Sequence, residues 1–278
     1  MGISRHVLRL AGMTALSAVG RNRVYMAAQG NGLAGRVARS VVDDPDLEWL
    51  TRNWSHVKSD GQNPRINQAT IDHYLKDPDL GGWTKDQQTW GDMHLPLQEQ
   101  MRGLILPALE ARIREGAKTV VEIGSSNGDV IAWLADRHPD THFIGVDFEL
   151  PPPGRERPNV TFIKGYALEL LEAGELRGDV VFASSTFCLP TPVELRAYAD
   201  RLAGAGFGSV LIADPVTRAY SPETYPGRSM HQTFGMWGHD HRHVFGQVGY
   251  RTTSFSLVPY TKHKVNKDLR FQIVRLDL

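Results

Sequence analysis

The 278-residue chain has one cysteine, Cys188, so it forms no intrachain disulfide, and a reducing compartment such as the cytoplasm fits. In that setting the glycosylation sequons at Asn53 and Asn159 are incidental. Cys188, between Phe187 and Leu189-Pro190, reads as a packed thiol. Net charge is also lacking, since 31 Lys and Arg balance 31 Asp and Glu. The balance is uneven along the chain. Residues 1–42 hold six arginines (Arg5, Arg9, Arg21, Arg23, Arg36, Arg39), no lysine and no acid, which leaves 25 basic against 31 acidic side chains in the remainder. A mildly acidic body argues against a broad nucleic-acid-binding face, so no nucleic-acid partner is expected. The apolar run from Val7 to Val19 is too short to span a bilayer and is broken by Thr14 and Ser17. Three readings of residues 1–42 stay open: a membrane-surface helix drawn to anionic lipid, a cleaved targeting peptide, or a tail docked on the body.

A dinucleotide-binding fingerprint is missing as well. The stretch Lys118 to Asp147 reads as a strand (Thr119 to Ile123), a small polar turn (Gly124 to Gly128), a helix (Asp129 to Arg137) and a second strand (His142 to Asp147). Such a unit brings a ligand close to backbone at a helix N-terminus, with the carboxylate of Asp147 free to accept hydrogen bonds from a ribose. G-x-G-x-x-G starting at Gly124 would need glycines at Ser126 and Asp129, so it fails twice. What stands there is an acid followed by small residues at every second position: Glu122, Gly124, Ser126, Gly128.

This pattern resembles motif I of the class I S-adenosylmethionine-dependent methyltransferases, with Ser126 in place of the middle glycine. The resemblance implies S-adenosylmethionine as cofactor, Asp147 as acceptor for the ribose diol and Phe148 as a wall for the adenine. Tyr166, in Gly165-Tyr166-Ala167, stands where this family often has an acid that contacts the adenine amino group, which puts that contact in doubt and points to backbone groups instead.

The alternation continues downstream. Val160 to Ile163, Asp179 to Ser184 and Ser209 to Ala213 read as strands, and Pro192 to Leu202 as a helix. The end of the fourth strand, Ser184-Ser185-Thr186, lies where both cofactor and acceptor come within reach, and Ser184 joins Glu122, Gly124, Ser126, Gly128, Asp147 and Phe148 as a candidate cofactor residue. Arg251 to Tyr260 and Leu269 to Leu278 alternate in hydropathy across a polar link, Thr261 to Asp268, and pair most easily as an antiparallel hairpin. The expected fold is α/β, a Rossmann-like doubly wound sheet with a terminal antiparallel strand pair, plus a helical N-terminal cap.

That divides the chain into a basic tail or helix (1–42), a helical cap or lid region (43–96) and a methyltransferase core (97–278) with a substrate loop at 216–248. In the cap, Asp44-Pro45 and Asp77-Pro78 both start helices, and Trp83, Trp90 and His94 are candidates for a lid or for plain packing onto the core. Leu97, Met101, Leu104, Ile105 and Ala108 trace one face of a helix that Pro107 should kink and Gly116 can end.

The 216–248 loop is long for its position and rich in histidine, with His231, His239, His241 and His243. A hydroxyl acceptor must lose a proton during methyl transfer, and a histidine near neutrality suits that task, so His231 and His241 are the candidate bases. The triplet His239-x-His241-x-His243 would present three metal ligands together only on an extended stretch, and no firm ligand spacing such as H-E-x-x-H is present, so no metal is expected.

The resulting expectation is methyl transfer from S-adenosylmethionine to a small-molecule acceptor, with O-methylation slightly preferred. It would take place in the cytoplasm, with membrane contact through residues 1–42 and homo-oligomerisation both left open. Two alternatives remain: an NAD-dependent oxidoreductase that uses the same ribose carboxylate, and a non-catalytic membrane-associated adaptor that kept the fold.

Overall fold

A computed structural model describes residues 27, 32–41, 103–217, 220, 222–223, 226–231, 237–259 and 269–278. The cap region with Trp83, Trp90 and His94, most of the basic tail, and the link between the last two strands lie outside the described residues. In chain order the described elements begin with α1 (Leu33–Val41), α2 (103–114), β1 (Thr119–Ile123), α3 (Asp129–Arg137) and β2 (His142–Asp147). Then come β3 (Val160–Lys164), α4 (Ala167–Glu172), β4 (Val180–Ser184), α5 (Pro192–Gly204) and β5 (Ser209–Thr217). The chain ends with β6 (Ser229–His231), β7 (Trp237–His239), α6 (His241–Gly246), β8 (Arg251–Pro259) and β9 (Leu269–Asp277).

Seven strands form one sheet in the order β3-β2-β1-β4-β5-β9-β8. The first five are parallel, and β9 runs antiparallel to both β5 and β8, so the two terminal strands form the expected antiparallel pair. β9 inserts next to β5 and leaves β8 at the edge. That explains why β8 is largely exposed and tolerates a register shift between Thr252 and Ser254.

The central strands are mostly apolar because the sheet is covered on both faces, and a period of two deals their side chains to two cores. Val121, Val181, Val210 and Ile212 point to one face, where they meet Leu168 and Leu171 of α4, Leu195 and Leu202 of α5 and Phe245 of α6. Val120, Val180, Phe182 and Leu211 point to the other and meet Ile105 and Leu109 of α2 and Ile131 and Leu134 of α3. Each such fully buried side chain contributes roughly 1.5–3 kcal/mol.

The end of β5 differs from the sequence reading. β5 runs four residues beyond Ala213, through Asp214 and Pro215 to Thr217, paired with β9 throughout. Its partner on the other side, β4, stops at Ser184 opposite Ala213. Pro215, which cannot donate to a ladder, is tolerated there because that side of the strand is no longer paired. α5 starts on a reciprocal cap in which Thr191 Oγ1 accepts from Glu194 N and Glu194 Oε2 accepts from Thr191 N.

Candidate functional site

The carboxyl ends of β1, β2 and β4 converge on one cleft. After β1 the chain turns sharply: Gly124 (φ 79°), Ser126 (φ 50°) and Gly128 (φ 72°) all occupy the left-handed region, and Gly128 caps α3. Glycine is required at Gly124 for a second reason, because a Cβ there would overlap Thr186 Oγ1. The turn is pinned by Gly124 N and Ser125 N, which donate to Val146 O at 2.8 and 3.1 Å.

Asp147 ends β2 beside this turn. Its Oδ2 accepts from Ser126 N at 2.7 Å and its Oδ1 from Phe148 N at 2.7 Å. Burial raises its pKa above the ordinary carboxylate value, and the N–H groups of Ser126, Phe148 and Glu149 oppose that shift. A carboxylate has about four acceptor positions, so these backbone donors leave acceptor capacity for a ligand hydroxyl.

Phe148 stacks on Tyr166 with ring centroids 5.7 Å apart and planes 18° from parallel. A third ring sandwiched between them would need about 7 Å, twice the ~3.5 Å contact distance of carbon atoms, so a flat ligand packs against one outer face of the pair. The Tyr166 hydroxyl donates to Glu194 Oε1 at 2.8 Å, and burial drives its pKa far up. Tyr166 is thus a neutral phenol committed to the α5 cap.

On the far side of the cleft, β4 ends in Ser184, after which Ser185 adopts a left-handed conformation (φ 55°) and donates its N–H to Ala213 O at 2.8 Å. Thr186 N donates to Asp214 Oδ1 at 3.2 Å, and His241 Nε2 donates to Asp214 Oδ2 at 2.9 Å. Asp214 and His241 are each only 1% exposed. Nδ1 of His241 is buried and makes no hydrogen bond. His239 is different. Its Nε2 faces Pro190 O at 3.0 Å, a pure acceptor, so Nε2 carries the proton and Nδ1 accepts from Ser229 Oγ at 2.7 Å. Burial, and then the nearby His241, lower its pKa well below the ordinary value, so it is a neutral brace between β6, β7 and the loop after β4.

The three histidines of the triplet do not share a face, because β7 ends at His239, Asp240 turns the chain and α6 begins at His241. His243 is exposed and accepts from Gln247 Nε2 at 2.9 Å. Cys188 is buried, its thiol pushed well above the ordinary pKa by burial and by the charge of Asp214.

No family model matches the sequence. The architecture matches that of 1,6-didemethyltoxoflavin-N1-methyltransferase from Burkholderia thailandensis, solved with 1,6-didemethyltoxoflavin and S-adenosylhomocysteine bound. The TM-score is 0.54 and the identity 14%, over 77% of this chain and 90% of that one. The chain has the class I S-adenosylmethionine-dependent methyltransferase fold.

A second neighbour with this fold is N-methyltransferase NodS from Bradyrhizobium japonicum with S-adenosyl-L-homocysteine, at TM-score 0.50 and 12% identity over 76% of this chain and 97% of that one. Two curated relatives are named tRNA (guanine-N(7)-)-methyltransferase. The one from Leifsonia xyli is 36% identical over 30% of this chain and 40% of that protein. The one from Corynebacterium glutamicum is 32% identical over 37% of this chain and 47% of that protein. The chain spans less than half the length of these curated relatives.

Within the methyltransferase fold, Gly124, Asp147 and Phe148 line the cleft together with Tyr166, Thr186 and Pro190. Ser126 and Gly128 shape the turn behind the carboxylate, while Glu122 is buried within β1 at 3% exposure. Ser184 is set back at the end of β4, and Thr186, two residues on, lines the cleft in its stead. His241 is joined to Thr186 through Asp214. His231 closes β6 opposite Trp237, and its side chain lies outside the described residues. Sequence reasoning put Thr186 in the stretch within reach of cofactor and acceptor but named no acid to hold His241; the signal for Asp214 was its position on β5, one step beyond the last β4–β5 pair.

Proposed function

We propose that the chain is an S-adenosylmethionine-dependent methyltransferase whose cofactor lies across the carboxyl ends of β1 and β2. The observation that carries this reading is Asp147, a half-buried carboxylate pre-oriented by backbone N–H groups beside a left-handed turn. Its remaining acceptor positions suit the ribose diol. Gly124, Ser126 and Gly128 bring backbone close to the cofactor's amino-acid portion, and Phe148 offers a face to the adenine. Glu122 shapes the floor of the turn from β1, and Ser184 supports it from β4.

The bound cofactor supplies a methyl group already activated on a sulfonium. What remains for the protein is to hold an acceptor in line in a dry site and, for a hydroxyl, to remove a proton. Of the two candidate bases, His241 is the one the described residues join to the cleft, through Asp214 and Thr186. The preferred acceptor is therefore a small molecule bearing a hydroxyl, handled in the cytoplasm. Membrane contact through residues 1–42 and self-association are compatible with it.

A nucleic-acid acceptor is the second reading, favoured by the names of the two partial relatives and by the six arginines without an acid in residues 1–42. The oxidoreductase alternative is disfavoured by the failed glycine fingerprint and by the antiparallel β8–β9 pair. The adaptor alternative predicts no cofactor binding at all. Incubation with methyl-labelled S-adenosylmethionine, offering a small-molecule extract and bulk tRNA in parallel, separates the readings. Label in the small-molecule fraction is the expected result. Label in tRNA, lost steeply with added salt, would overturn the small-molecule assignment.

A further inference from the structure

Between the cofactor turn and the α6 histidine runs one continuous set of contacts. Thr186 packs on Gly124 so closely that a Cβ there would strike its Oγ1, and its own N–H is held by Asp214 Oδ1. The other oxygen of the same carboxylate holds His241 Nε2. Asp214 reaches both because β5 continues past the end of β4, which puts residue 214 one step beyond the last β4 pair, opposite the turn at Ser185. That turn needs holding. Ser185 is one of two non-glycine residues among the described residues with a positive φ, and a left-handed serine persists only where its neighbours fix it. Ala213 O holds its N–H, and Asp214 holds the next one.

The carboxylate also decides where the histidine proton sits. Asp214 accepts only, so in the neutral imidazole of His241 the hydrogen sits on Nε2 and Nδ1 is the atom without one. An amide at position 214 would reverse this: with its carbonyl kept for Thr186 N–H, its NH2 faces Nε2 and drives the imidazole proton to Nδ1.

We propose that Asp214 is a positioning residue behind the cleft, with one oxygen seating Thr186 against the cofactor turn and the other fixing the tautomer of His241. The assignment rests on the methyltransferase reading above and adds a residue to it. Cofactor binding at the turn and the state of His241 are then coupled through one buried carboxylate.

The test uses the full chain labelled with 15N at histidine, with two-bond 1H–15N spectra reporting each imidazole tautomer and His241→Gln assigning the His241 signals among the 11 histidines. The expected wild-type result is an Nε2–H tautomer at His241 whose signals move when S-adenosylhomocysteine is added. Asp214→Asn is expected to shift the proton to Nδ1 and to weaken S-adenosylhomocysteine about tenfold, the scale of one lost or reversed hydrogen bond. If the wild type binds S-adenosylhomocysteine but its His241 signals stay still, the coupling is wrong, and this measurement needs no variant to fold. If Asp214→Asn folds and keeps both tautomer and affinity, the positioning role is wrong. Absence of S-adenosylhomocysteine binding to the wild type would instead sink the cofactor reading and the coupling with it, and the tautomer swap alone would then decide whether Asp214 fixes His241.

Discussion

Ser126 is the residue at which the sequence departs from the glycine pattern of motif I, and its conformation says what that departure costs. It occupies the left-handed region at φ 50°, where a side chain costs roughly 1–2 kcal/mol, and it compensates in part by donating its N–H to Asp147. Ser126→Gly should therefore keep S-adenosylhomocysteine affinity and change stability by less than about 1 kcal/mol, since relief of strain and added chain entropy oppose each other. Ser126→Val should lose both affinity and stability, as β-branching is incompatible with this φ. Urea melts and a titration of each variant check this. At this scale the sequence was legible where backbone chemistry is local: the spacing of Glu122, Gly124, Ser126 and Gly128 marked the turn. It was silent on His239, whose role as a neutral brace depends on Pro190, 49 residues away, and on Tyr166, whose hydroxyl is spent on Glu194 of the next helix.

Among the elements, the turn after β1 and the turn after β4 are packed as one unit, with Gly124 and Thr186 in contact. Gly124→Ala should be severe, because the added methyl meets Thr186 and the φ of 79° is unfavourable for any side chain. A loss of about 2–4 kcal/mol, combining overpacking and backbone strain, is the expected outcome by denaturant unfolding, together with loss of cofactor binding. Gly116→Ala, which meets nothing within 4 Å, provides the control for left-handed strain without overpacking. Strand existence was readable because β1, β4 and the first half of β5 are buried on both faces and so read as short, largely apolar runs. The length of β5 was not. Asp214-Pro215 carries a turn signature, and only the antiparallel partner β9, more than 50 residues later, holds it in a strand.

For the whole molecule, the C-terminal strand closes the sheet and carries its own charge clamp. Asp277 accepts from Ser209 Oγ on β5, from Thr253 Oγ1 on β8 at 2.8 Å and from Arg275 Nε at 3.0 Å. Burial alone would raise its pKa; the hydrogen bonds from Ser209 and Thr253 and the Arg275 charge outweigh that and hold it below the ordinary carboxylate range. A depressed folded-state pKa means stability that is present above the unfolded value near ~3.9 and lost as pH falls below it. Asp277→Asn should thus cost about 1–2 kcal/mol at pH 7 and progressively less towards pH 3, measured by urea unfolding across that range. A constant difference with pH would show the clamp to be steric rather than ionic. The terminal strand pair followed from the hydropathy alternation of its two strands, whereas the join between Thr186, Asp214 and His241 needs three elements brought together and has no one-dimensional trace. The central claim, that Asp147 and the β1 turn hold S-adenosylmethionine, is tested most directly by calorimetric titration with S-adenosylhomocysteine of the wild type and Asp147→Ala, with NAD and NADH in parallel. Micromolar binding that is lost in the variant and absent for both nicotinamides is the predicted result, weakening in acid as the burial-raised carboxyl of Asp147 protonates. Equal binding by Asp147→Ala, or binding of a nicotinamide instead, would contradict it.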